Sequence, residues 1–358
     1  MIFSTAGVLT VDLTAIAANW TALRDRHAAM GGGAVGAAVK ADAYGLGAAQ
    51  VAPALAAAGC RHFFVAHVSE GIAIRAALGP GPMIAVLNGF RPGAAGEAAL
   101  TPVLNTPGDI EAWAGTGTAA ILHLDTGMAR LGLSPAEADA LAANPAPLSG
   151  LRILYVMTHL ACADDPAHPL NAEQAARFAA ARARLPAAPS SFANSSGLFL
   201  GPDFASNLAR PGCALYGLNP TPGRPNPMRP VTRLCVPVLQ VRDIPPGTPV
   251  GYGATWVASR PSRIATVAAG YADGYLRSLS GRAVAGQAER DIPLVGRVSM
   301  DLITFDVTDH PSIAPGSTIE LIGPHHTPDD VAARAGTIGY EVLTSLGARY
   351  AREYLRAA

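Results

Sequence analysis

Residues 35–47 read VGAAVKADAYGLG, and Lys40 is the only lysine of the chain; every other residue among its 26 lysines and arginines is arginine. An amine that follows an apolar run is stripped of water, and burial lowers its pKa toward the uncharged, nucleophilic form. Arginine carries the same charge but keeps its proton and cannot form an imine with a carbonyl carbon. A lysine acting only as a surface cation would be interchangeable with arginine, the residue used everywhere else. Position 40 therefore points to covalent chemistry at a carbonyl. The partner is either a carbonyl substrate, as in class I aldolases, or pyridoxal phosphate.

Other polar residues fall at the ends of candidate strands: Asn88, Asn105, Arg130, His159, Asn194 with Ser195, and Arg210. Each alone reads equally well as a solvated or capping residue. Together they would line one end of a barrel, where strands pass into their connecting loops. In the segment RPGCALYG (210–217), the backbone N–H groups of Gly212 and Cys213 are candidate phosphate donors. The Ser195 hydroxyl is a further donor, because loops after the last two barrel strands commonly hold phosphate.

The elements that must position these residues alternate in type. Candidate strands occupy 35–41, 62–68, 83–88, 101–105, 119–125, 151–159, 190–196 and 205–218, with alanine-rich helical patterns between most of them. About eight such units with nearly continuous apolar strands predict an α/β fold, an N-terminal parallel (β/α)8 TIM-type barrel. The same alternation allows an open doubly wound sheet. After residue 220 the proline-rich NPTPGRPNPMRP breaks the pattern, and short alternating runs follow. They predict a C-terminal mainly β domain closed by a helix around 341–356, dividing the chain into 1–226 and 227–358.

Composition narrows the function classes. Half of the 358 residues are hydrophobic, 15% are charged, and the formal net charge is zero. Nothing electrostatic favours nucleic acid or an anionic membrane as a partner. Cys60, Cys162, Cys213 and Cys235 are widely spaced and form no CxxC pair, which suggests reduced thiols and no metal site. The N-terminus lacks a basic leader, and no apolar run approaches the ~20 residues of a membrane span. A cytoplasmic protein is expected.

Seven motifs, in order along the chain, resemble the alanine racemase family of fold-type III pyridoxal phosphate enzymes. They are AVKADAYGLG (38–47), LDTGMARLGL (124–133), THLACADD (158–165), ARPGCALYGL (209–218), GYGATW (251–256), GYADGYLR (270–277) and VGRVSMD (295–301). The resemblance implies that Lys40 holds pyridoxal phosphate and serves as the base on one face of the substrate. It implies that Tyr252, supplied by a partner subunit, is the base on the other face, so that a homodimer has composite sites. Tyr44, Ser195, Gly212 and Cys213 match phosphate-binding positions. Arg210 matches the arginine facing the pyridine nitrogen, and His159 the histidine bonded to it. Arg130 and the backbone around Met300 match the carboxylate anchor, while Tyr271, Arg277 and Asp301 correspond to the interface and substrate-access gate. The implied reaction interconverts L- and D-alanine and supplies D-alanine for peptidoglycan.

Racemisation removes Hα from one face of a planar carbanion and returns a proton to the other, which suits two bases better than one. An arginine at the ring nitrogen is a poor proton donor and leaves that nitrogen largely unprotonated. Two positions depart from the family pattern. His123 stands where many members have a carbamylated lysine that orients the anchoring arginine. Ala348 aligns with a tyrosine that contacts the phosphate, with Tyr350 and Tyr354 nearby. The competing functions are a broader amino-acid or serine racemase, a decarboxylase of basic amino acids, and a non-catalytic carrier of the cofactor. Arg210 and Tyr252 count against the decarboxylase, and the second domain carrying Tyr252 counts against the carrier.

Overall fold

The computed structural model of the chain describes residues 7–96, 98–287 and 290–356. Residues 1–6, which carry part of the leader argument, and residues 357–358 lie outside that range. Two compact units result, one spanning Ile16–Arg229 and the other Pro230–Ala358 together with the N-terminal segment up to Ala15.

The first unit is a parallel barrel. Its strands are Ala34–Val35 with Ala37–Ala38, His62–Val65, Met83–Val86, Thr101–Leu104, Ala119–His123, Arg152–Met157, Ser190–Ser191 and Leu208–Ala209. Ala34 pairs with Leu208 at one end of the hydrogen-bonded series, and Ala37 pairs with Phe63 at the other. Both belong to one stretch of chain interrupted at Gly36, so the sheet closes on itself. Phe64, Ala85, Val103, Ile121, Met157 and Leu208 fill the interior. Leu104, Leu122, Val156, Leu141 and Phe178 build an outer layer between strands and helices. Two of the connecting helices, Pro107–Trp113 and Pro135–Ala143, start at capping boxes formed by Thr106 with Asp109 and Ser134 with Glu137.

The barrel strands are shorter than the sequence suggests, three of them markedly so. The first ends at Ala38, so Lys40 lies beyond it rather than within it. The run 190–196 yields only Ser190–Ser191, and 205–218 only Leu208–Ala209. Polar side chains take over the ladder there: Ser190 N–H donates to Asn207 Oδ1 at 2.8 Å, and Ser191 Oγ donates to the Leu208 carbonyl at 2.7 Å.

The second unit is mainly β, as its sequence pattern suggests. Thr232–Ile244 pairs antiparallel with Val8–Asp12, Ser262–Val267 and Thr318–Ile322. Two expectations need correction here. The division at 226/227 misses the strand Val8–Asp12, which buries Leu9 and Val11 in this unit. The closing helix covers only Gly339–Ser345; Ala351–Leu355 is a strand, parallel to Val8–Asp12. Its burial alternates from residue to residue, the period of a strand.

All four cysteines are free thiols. Among the described residues no cluster of three or more His, Cys, Asp or Glu side chains could hold a metal ion, and no helix is long and apolar enough to cross a membrane.

Gly36 sits at the point of barrel closure: a Cβ there would lie 2.8 Å from both the His62 carbonyl and the Phe64 ring. Gly36→Ala is therefore expected to destabilise the fold by about 1–3 kcal/mol. The midpoint of denaturant unfolding measures this, and an unshifted midpoint would show that the closure has slack.

Candidate functional site

Lys40 opens a short turn, Lys40–Tyr44, at the end of the first strand. Ala41, Asp42, Ala43 and Tyr44 all have left-handed backbones, with φ of 51, 53, 54 and 58°. For residues with side chains this conformation costs roughly 1–2 kcal/mol each, so the turn persists only because its surroundings impose it. Within it Ala43 N–H donates to the Val39 carbonyl at 2.9 Å and Gly45 N–H to that of Ala41 at 2.7 Å. Its far end is held by Tyr44, whose ring lies 4.6 Å from that of Tyr216. The Tyr216 hydroxyl donates to the Ala38 carbonyl at 2.9 Å. Burial and the nearby Arg130 lower the Lys40 pKa, while Glu70 draws it up.

Ser195, after the seventh strand, meets the loop after the eighth. Its Oγ accepts from Gly212 N–H at 2.9 Å and Ala214 N–H at 3.3 Å. The Gly212 N–H that the sequence leaves free is thus engaged, and the Ser195 hydroxyl hydrogen is left to donate outward. A Cβ on Gly212 would collide with the Tyr44 hydroxyl, so glycine lets backbone and phenol share one cradle. Burial, followed by Cys213, pushes the Tyr44 phenol above its ordinary range and keeps it a donor.

Arg210 is 5% exposed. Its guanidinium donates to Ser191 Oγ and to the Thr158 carbonyl, each at 2.6 Å, and lies 3.4 Å from His159 Nδ1. These acceptors are all neutral. Burial pushes the Arg210 pKa down to about 10, which still leaves it charged at neutral pH. His159 is held well below its ordinary value by burial, then by Arg210, Arg130, Lys40 and His123. Beside it, the Asn105 amide donates to the Leu87 and Val103 carbonyls, which turns Oδ1 toward His123 Nδ1 at 2.8 Å. An amide oxygen only accepts, so Nδ1 carries the proton and Nε2 is an acceptor. Burial, then Arg210, hold the His123 pKa at about 3.

Arg130 follows a loop wound around Asp125, whose carboxylate accepts from the N–H groups of Gly127, Met128 and Ala129. The exposed Arg130 side chain lines one cavity with His123, Met128, Thr158 and His159. The structure thus brings Lys40, Tyr44, His123, Arg130, His159, Ser195, Arg210, Gly212 and Cys213 to the strand-end face of the barrel.

The remaining candidates lie on three adjoining loops of the second unit. Tyr252 is 73% exposed and Met300 53%. Tyr271 N–H donates to the Ser299 carbonyl and Ala272 N–H to that of Met300, both at 3.0 Å. The Arg277 turn is tied to the third loop through Ser280 Oγ, which accepts from Val298 N–H at 3.0 Å. Asp301 pairs with Arg349 at 2.8 Å.

Sequence reasoning missed Glu70, Thr158, Ser191 and Gln174. Gln174 is fully buried; its amide donates to Thr126 Oγ1 and the His159 carbonyl and accepts from Ala161 N–H. Its signal was a polar residue sharing a helix face with Asn171 and Phe178, all three buried. The chemical sum of the barrel site is one amine, two guanidinium groups, two neutral imidazoles and a cradle of N–H and O–H donors. That set fits a phosphorylated aldehyde cofactor together with a carboxylate substrate.

Comparison with known proteins agrees with this chemistry. The family model for the alanine racemase N-terminal domain matches residues 11–220, and that for the C-terminal domain matches residues 231–354. An alanine racemase of Acidiphilium cryptum is 57% identical over 352 residues, covering 96% of this chain and 97% of its own length. One from Rhodospirillum rubrum is 54% identical over 358 residues, covering 97% and 95%. Among solved structures, the alanine racemase from Bartonella henselae with covalently bound pyridoxal phosphate matches with a TM-score of 0.93 at 41% identity, over 98% of this chain and 100% of that one.

The His123 environment sets a pH dependence. The unfolded chain protonates His123 near 6.5, whereas the fold resists until about 3. In that window the unfolded state binds the extra proton, so stability falls as pH drops. His123→Asn should flatten the slope of unfolding free energy between about pH 6 and about pH 4 by up to about 1.4 kcal/mol per pH unit. Denaturant titrations of both proteins across this range check it; parallel slopes would mean that His123 titrates normally in the fold.

Proposed function

We propose roles for individual residues on one premise: the chain belongs to the alanine racemase family. It is a pyridoxal phosphate-dependent isomerase that interconverts L- and D-alanine. The observation that carries the assignment of roles is the juxtaposition of the only lysine with Arg130, Arg210 and two uncharged histidines.

The cofactor, when bound, supplies an electron sink for the carbanion left when Cα loses its proton. Lys40 Nζ would hold the cofactor covalently, and its free amine would exchange a proton with the substrate Cα on one face. Its lowered pKa favours the free amine that this role requires. Tyr252 of the partner subunit does the same on the opposite face through Oη. Tyr44, Ser195 and the Gly212–Cys213 backbone would hold the phosphate, Gly212 by way of the Ser195 Oγ that accepts from its N–H and leaves the hydroxyl hydrogen to donate outward. Arg210 would stand at the cofactor's ring nitrogen and, keeping its own proton, would leave that nitrogen unprotonated. His159 is bonded beside it. Arg130 forks onto the substrate carboxylate together with the backbone near Met300.

Tyr271, Arg277 and Asp301 border the access route, and His123 lies behind the carboxylate anchor. The working form is a homodimer whose two sites are each completed by the other subunit. It acts in the cytoplasm and supplies D-alanine for peptidoglycan.

Lys40→Ala should abolish borohydride-trapped cofactor label, and Lys40→Arg should do the same although it keeps the charge. Label retained in either variant would remove Lys40 from the covalent role. Wild-type protein given L-alanine in deuterated water should yield D-alanine carrying deuterium at Cα, followed by mass spectrometry and chiral chromatography. The composite site makes a sharper demand. Separately inactive Lys40→Ala and Tyr252→Phe proteins, mixed and allowed to exchange subunits, should regain about a quarter of wild-type activity, because half the dimers then hold one intact site. No recovery after demonstrated exchange would place both bases in one chain.

A further inference from the structure

Glu70 sits in the first turn of the helix Val68–Leu78, where its side chain and that of His67 complete a capping box. Capping needs only one carboxylate oxygen. Glu70 Oε2 serves it, accepting from the N–H groups of Ala66 at 2.7 Å and His67 at 3.0 Å. The other oxygen reaches across to the turn after the first barrel strand: Oε1 accepts from Ala41 N–H at 2.6 Å. Ala41 is the residue after Lys40 and the first of the four left-handed residues. Bonds within the turn to the Val39, Ala41, Asp42 and Ala43 carbonyls and to Asp42 Oδ1 are local to residues 39–48, whereas the Glu70 contact comes from another element. Tyr44 anchors its far end against Tyr216; Glu70 anchors its near end to the loop after the second strand.

We propose that Glu70 is a positioning residue, clamping the left-handed turn behind Lys40 and thereby fixing where the Lys40 amine points. This rests on the reading of Lys40 as the covalent cofactor residue. A carboxylate accepts on both oxygens, so it can cap the helix and clamp the turn at once. Glutamine has one carbonyl oxygen, and its NH2 would face an N–H at the other position; one of the two functions is then lost. The negative charge of Glu70 also opposes the effect of burial and of Arg130 on Lys40.

The test uses holoenzyme of wild type, Glu70→Gln, Ala41→Gly and the double variant. Hydroxylamine captures the cofactor's carbonyl carbon and frees the Lys40 amine, so the loss of cofactor absorbance reports how firmly Lys40 is presented. Glu70→Gln should speed this release about tenfold and lower kcat with little change in KM, as expected for a misplaced covalent group. Glycine adopts the left-handed backbone without a Cβ clash, so adding Ala41→Gly should return release to within about threefold of wild type. A residue that only capped its helix would lower stability without being rescued at position 41. Release and kcat unchanged in Glu70→Gln, or a double variant as impaired as the single one, overturns the clamp. If Glu70→Gln does not fold, Glu70→Asp, which keeps the charge but not the reach, is read in the same way. Borohydride labelling of wild type followed by peptide mapping separates the two ideas: label away from Lys40 overturns the parent reading, whereas label at Lys40 with unaltered release overturns only the clamp.

Discussion

Arg210 is a full positive charge taken out of water with only neutral groups to receive it. A buried charge without a counter-ion is costly, and here Ser191 Oγ, the Thr158 carbonyl and His159 Nδ1 offer dipoles instead of a carboxylate. Everything nearby adjusts to that charge. His159 and His123 are driven to their neutral forms, by burial first and then by Arg210. Further along the same face, Arg130 adds a second uncompensated charge that helps to depress Lys40. The carboxylates in this region, Glu70 and Asp125, spend their oxygens on backbone N–H groups. The result is a pocket with an excess of positive charge, and anions restore its balance when they bind.

The barrel exists to hold those groups in register, and its irregularities lie where the site needs them. The last two strands are reduced to Ser190–Ser191 and Leu208–Ala209, and their short ladder is extended by Ser191 and Asn207 side chains. That leaves Ser191 Oγ to receive Arg210 while donating to the Leu208 carbonyl. Gly212 must be glycine because the Tyr44 hydroxyl occupies the place of its Cβ. Parts of the wall that look imperfect as sheet are thus the parts that seat Arg210 and join Ser195 to Gly212.

The sequence made the barrel legible through apolar strands alternating with helices, and Lys40 through its isolation among arginines. Both signals are local: periodicity within a window, or one residue type in its setting. The left-handed turn was invisible, since KADAY contains no glycine to announce positive φ. Its anchors come from distant chain: Glu70, 29 residues away, and Tyr216. Val8–Asp12 was likewise hidden, because a strand whose partners are Thr232–Ile244 and Ala351–Leu355 gains its meaning only from distant chain. The closing segment was misread as one helix because its strand AREYL is short and built of good helix formers, and strand pairing outweighed that propensity.

His123 shows how such a site can tolerate a changed residue. The Asn105 amide is fixed by two backbone carbonyls, so its oxygen dictates which imidazole nitrogen carries the proton. A neutral ring of defined tautomer has an acceptor at Nε2, and that ring lines one cavity with Arg130. A protonated ring would instead add a third cation beside Arg210 and Arg130, and burial together with those two charges prevents it. Position 123 therefore contributes an acceptor without contributing a charge. That keeps the positive excess of the pocket on the two arginines, where incoming anionic groups can meet it.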